Sequence, residues 1–120
     1  MEIFSFAKEY GRRVTHYDSN FILSRLAIME GRTVISFMYL DQKGIIGYHE
    51  APVNQILYVV TGEGYVCNDN KEYKHLKAGD AVFWTQGEWH ETKTDTGLTA
   101  IAIEGKTLTP DHLFRVGAPQ

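Results

Sequence analysis

Two glycine-punctuated runs, each reading as strands broken by turns and each carrying one histidine, most constrain what this chain folds into. The first is Gly44-Ile-Ile-Gly-Tyr-His49-Glu-Ala51-Pro-Val-Asn-Gln55-Ile-Leu-Tyr-Val-Val-Thr-Gly62. The second is Gly79-Asp-Ala-Val-Phe-Trp-Thr85-Gln-Gly87-Glu-Trp-His90-Glu-Thr-Lys-Thr94. Side chains this far apart in sequence meet only when strands close on one another. A metal site or a ligand pocket needs that convergence.

The rest of the chain reads the same way. Residues 3 to 10 suggest a short helix capped by Ser5, and residues 11 to 19 an irregular segment. Strands are expected at Asn20 to Met29, Thr33 to Leu40, Ile45 to Glu50 and Gln55 to Thr61, where β-branched and aromatic residues concentrate. Gly62-Glu-Gly64 reads as a turn into Tyr65-Val-Cys67, and Asn68-Asp-Asn70 as a hairpin, since Asn and Asp tolerate left-handed backbone. Lys71 to Leu76, Ala81 to Trp84, Trp89 to Lys93 and Leu98 to Glu104 complete the series. The tail from Thr107 reads as a helical turn after Pro110 or as a packing arm. Many short strands with little helix imply an all-β sandwich or barrel.

Composition sets the outer limits. A chain of 120 residues holds one domain with a real core, expected to span residues 1–120. Its net charge of −3 supplies no basic field for phosphates, so no nucleic acid partner is expected. No apolar run approaches the roughly 18 to 20 residues that span a bilayer, so no membrane partner is expected either. The first residues lack the pattern of a signal peptide, and Cys67 has no second cysteine to pair with. Together these give a cytoplasmic expectation. The run Ile56 to Val60 is continuously apolar, which asks for cover on both faces. With the many aromatics, it gives the expectation of a homodimer.

His49, Gln55 and His90 are the candidates for chemistry. Imidazole nitrogen suits zinc, copper, iron and nickel, whereas a Gln oxygen is a neutral, weaker ligand. Glu50 and Glu91 neighbour a histidine and on a strand face the other way. Glu88 has the parity to share a face with His90, but it lies at a turn. All three read as solvated charge, and His16, His75 and His112 as surface residues.

The two runs resemble the paired motifs of the cupin family. Six residues separate Gly62 from Gln55, where the family has Glu; three more separate Gln55 from Ala51, at the family's second His, and His49 occupies the first. Gly44 lies one residue nearer than the pattern asks. In the second motif Gly79, Gly87 and His90 fit the spacing, with Thr85 for the usual Pro and Thr94 for the usual Asn. The resemblance covers a motif core at 44–94. It implies a double-stranded β-helix, or jelly-roll barrel, and a divalent metal usually held by three His and one Glu. Here two of the His remain and Gln replaces Glu, so the motif positions alone cannot assemble a two-His-one-carboxylate site.

The resemblance therefore leaves two readings. In one, His49, Gln55 and His90 hold a divalent metal ion, and the protein acts on a small organic molecule. In the other, the same residues line a polar spot that binds or senses a small-molecule ligand without catalysis or tightly bound metal. A Gln also donates a hydrogen bond, which suits an anionic or carbonyl ligand. Tyr48, Leu57, Phe83 and Trp89 are the expected substrate-pocket residues, near the barrel mouth where cupins place ligands.

Overall fold

The structure is a computed structural model that describes residues 1–111. Among the described residues ten strands follow in order: β1 (Glu2–Ser5), β2 (Arg12–Val14), β3 (Phe21–Leu23), β4 (Val34–Leu40), β5 (Ile45–Glu50), β6 (Gln55–Cys67), β7 (Lys74–Lys77), β8 (Asp80–Trp84), β9 (Trp89–Lys93) and β10 (Leu98–Glu104). All the pairings are antiparallel. One layer runs β1-β8-β6-β10-β4. The other is β7-β6-β9-β5, and the hairpin β2–β3 stands apart.

The long strand β6 belongs to both layers. Its first half pairs with β8 and β10, and its second half with β7 and β9. The bend falls at Gly62, which has φ +82° and whose missing side chain leaves room for the Gly97 carbonyl; a Cβ there would lie 2.3 Å from that oxygen. The expected turn at Gly62-Glu-Gly64 is thus a corner within one strand. Glycine lets the strand change layers without losing its ladder.

Alternation along the strands builds two cores. Between the layers lie Leu57, Val59, Val66, Leu76, Val82, Trp84, Leu98, Ala100 and Ala102. On the opposite face of the first layer, Phe4, Ile56, Ala81, Phe83 and Leu108 cluster under Phe6, Leu26, Ala27 and Met29. The chain itself therefore covers the second face of Ile56. The apolar face it leaves open is on the edge strand β4, where Ile35, Phe37 and Tyr39 are exposed.

Other sequence expectations shift near the N-terminus. The expected helix over residues 3–10 is strand β1 followed by a 3-10 turn at Lys8–Tyr10, because β1 finds a ladder partner in β8. The strand expected at 20–29 is cut to Phe21–Leu23, and its remainder becomes the cover over the second core. The helical turn expected after Pro110, and His112, fall outside the described residues apart from Asp111.

Candidate functional site

His49 and His90 are direct cross-strand partners on β5 and β9. Their ring centroids lie 4.5 Å apart. An irregularity in the ladder between Ile46 and His49 offsets the register, the kind of local distortion that re-aims a side chain near a site. Gln55 opens β6 opposite Trp84 and, across its other edge, opposite Glu104 of β10. These side chains share one small cavity of about 80 Å³, lined by His49, Gln55, His90, Trp84, Leu57 and Glu104, with Met38, Ile46 and Thr92 completing it. That volume suits a few waters, or a cation with a small ligand.

His90 is the most constrained group. It is 4% exposed, and Trp84 packs edge-on at 4.3 Å between centroids. Its Nε2 is buried and has no hydrogen-bond partner among the described residues. Burial first, and the neighbouring His49 second, push the imidazole down to about 4, against a weaker opposing pull from Glu88. His90 is therefore neutral at physiological pH. His49 is more open, and its Nδ1 lies 2.6 Å from the Gly47 carbonyl. A carbonyl only accepts, so this contact places the proton on Nδ1 and leaves the Nε2 lone pair available. An orphaned buried nitrogen beside a second imidazole with its tautomer fixed is a donor set that fits a divalent metal. Among the described residues no three His, Cys, Asp or Glu side chains form a group able to hold one, so a third donor from the protein falls to the Gln55 amide.

The remaining expected residues are dispersed. Leu57 lines the cavity. Phe83 belongs to the second core, because Trp84 beside it takes the inward position. Tyr48 and Trp89 pack on each other at 5.4 Å on the outer side, each adjacent to an inward histidine. Ala51 is buried, and its backbone is tied to Gly87 and Glu88, so the family's second-His position offers no donor.

Two acidic residues read as solvated charge have partners instead. Glu88 accepts from the Met1 ammonium at 2.8 Å, the Thr85 N–H at 2.7 Å and Asn68 at 3.2 Å. Burial raises its carboxyl, but these donors outweigh that and hold it below the ordinary range. Glu91 accepts from the Tyr73 hydroxyl. Glu50 is exposed, as are His16 and His75, the latter 3.3 Å from Glu63. Trp84 and Glu104 were missed. Trp84 was legible from parity with Leu57 and Val82 once register was known; Glu104 lies beyond the motif.

An antiparallel two-layer barrel with paired imidazoles lining a cavity between its sheets defines a jelly-roll fold. The chain belongs to the cupin family: the family model described as Cupin domain matches residues 36–104, more than half of it. Among solved structures it is similar to an RmlC-like cupin from Shewanella frigidimarina, at 28% identity over 60% of this chain and 64% of that one, with a TM-score of 0.57. A predicted oxalate decarboxylase from Thermotoga maritima matches at 27% identity over 58% and 63%, with a TM-score of 0.54. A cupin superfamily protein from Desulfitobacterium hafniense shares the fold at 15% identity over 68% and 74%, with a TM-score of 0.59. No curated protein matches the chain. No helix among the described residues is long and apolar enough to cross a membrane.

Proposed function

We propose that this cupin binds a divalent metal ion through His49 and His90, with the Gln55 carbonyl as a weak third donor, and acts on a small organic molecule. The observation that carries the reading is the His90 Nε2, buried, unpartnered and facing a cavity that His49 shares. Leaving such an atom unsatisfied costs about 1–3 kcal/mol, and a ligand relieves that cost. A bound metal would supply Lewis-acid polarisation of a substrate oxygen. Ala51 leaves a coordination position for water or substrate, as catalytic metal sites require.

The cavity is too small for most substrates, but Glu104 also lines an outer groove of about 650 Å³ with Arg32, Val34, Pro52, Val53 and Lys106. A groove of that volume is large enough for a small organic molecule. The second reading, a metal-free binding or sensing module, is favoured by one observation: the amide at position 55 puts no charge of its own on a cation. A homodimer and a cytoplasmic location complete the proposal.

Calorimetric titration of chelator-stripped protein with manganese, iron(II), nickel, copper and zinc tests the choice. Wild type should bind at least one of them with an open-site stoichiometry near one per chain. His90→Ala and His49→Ala should abolish binding. If wild type binds none of the five, the metal-free module is the correct reading.

A further inference from the structure

We propose that Glu104 supplies the negative charge of this site, acting through Gln55 as a positioning residue one strand removed from the place where the family carries its carboxylate. This rests on the metal-binding reading above. Gln55 Nε2 donates to Glu104 Oε1 at 3.1 Å. An ionised carboxylate only accepts, so the contact fixes which way the amide points: the nitrogen faces Glu104 and the carbonyl oxygen is left with its lone pairs. The two residues are ladder partners on β6 and β10, so sheet register rather than a loop holds them together.

Three features separate this from an ordinary core hydrogen bond. Gln55 is 6% exposed and Glu104 is half-buried, and both line the cavity with the two imidazoles. Among the described residues no Lys, Arg or His forms an ion pair with Glu104. Glu104 is also the one carboxylate in the lining of that cavity. A half-buried carboxylate lining the same cavity as two imidazoles favours arrival of a cation. A carboxylate accepting from an amide N–H also makes the amide oxygen a better donor, as carboxylates do for metal-bound histidines.

The experiment is a set of calorimetric titrations with manganese(II) and nickel(II), paired with thermal melts of the metal-free proteins. Glu104→Gln keeps shape while removing the charge, and should weaken metal binding about 10- to 100-fold. Glu104→Asp keeps the charge but withdraws it from the amide, and should also weaken binding. The double variant Gln55→Glu/Glu104→Gln moves the charge to position 55 and should bind at least as tightly as wild type. A purely structural Glu104 would lower the melting temperature and leave metal affinity within threefold of wild type, and that result overturns the proposal. So does a Glu104→Asp variant that binds like wild type, because charge alone would then suffice without the amide contact. If wild type itself binds neither metal, the metal reading fails in that first titration and takes this inference with it. Failure of the Glu104 role alone appears only in the variants.

Discussion

Protonating His90 should destabilise the metal-free protein in a defined pH window. The folded imidazole titrates near 4, against an ordinary value of 6.5. Between these values the unfolded chain binds a proton that the folded chain refuses, so stability falls as pH drops. Above 6.5 both states are neutral and the full stability is present; below about 4 both are charged and no further loss arises from this group. The gap corresponds to about 3 kcal/mol. For a chain of this size that is roughly 10 °C of melting temperature. Because His90 is 4% exposed behind Trp84, solvent screening does little to reduce it.

The assay is a melt in chelator at half-unit steps from pH 8 to pH 4, for wild type and for His90→Asn. Glu88 works at lower pH, since its depressed carboxyl gives stability that is lost only as pH falls below the ordinary carboxylate value. That contribution is common to both proteins and cancels in the difference. The difference between the two curves should open between pH 6.5 and 4 and reach about 3 kcal/mol. Parallel curves throughout that window would refute the argument that burial holds His90 neutral.

Further outcomes follow from single contacts. Trp84→Ala should cost about 3–5 kcal/mol in chemical denaturation and move the titration of His90, read by NMR, upward toward 6.5, because the ring that desolvates it is gone. Gly62→Ala should destabilise by about 2 kcal/mol or more, since the new Cβ meets the Gly97 carbonyl and the backbone is left-handed; a melt unchanged from wild type would show that the corner relaxes freely. Phe37→Asp should convert a dimer to a monomer in sedimentation velocity, because Ile35, Phe37 and Tyr39 form an open apolar row on an edge strand. A wild-type monomer at micromolar concentration would remove the dimer.

The barrel was legible in the sequence where local rules and pairing agree. Ile45–Glu50, Trp89–Lys93 and Leu98–Glu104 are strands as expected, bounded by glycine or polar turns. Reading failed where a residue's role depends on a partner far away. Gly62-Glu-Gly64 carries turn residues, yet ladders on both sides keep it in β6. Residues 3–10 carry a helix-like start, yet β8 offers an edge and the segment becomes β1.

The site shows the same boundary more sharply. Spacing within the two motifs brought His49, Gln55 and His90 to one cavity, because residues counted along a strand keep their face. The same alternation, applied one residue further, turns Tyr48 and Trp89 away from it, and Phe83 away from Trp84. Neighbours of an inward residue were therefore poor pocket candidates on parity alone. Glu104 is the opposite case. Nothing in its own stretch marks it, since the signal is its register against Gln55 on another strand. A motif records only which positions usually carry the chemistry. When one of those positions loses its charge, cross-strand neighbours are where a replacement carboxylate lies within reach, and sheet register is the information needed to find it.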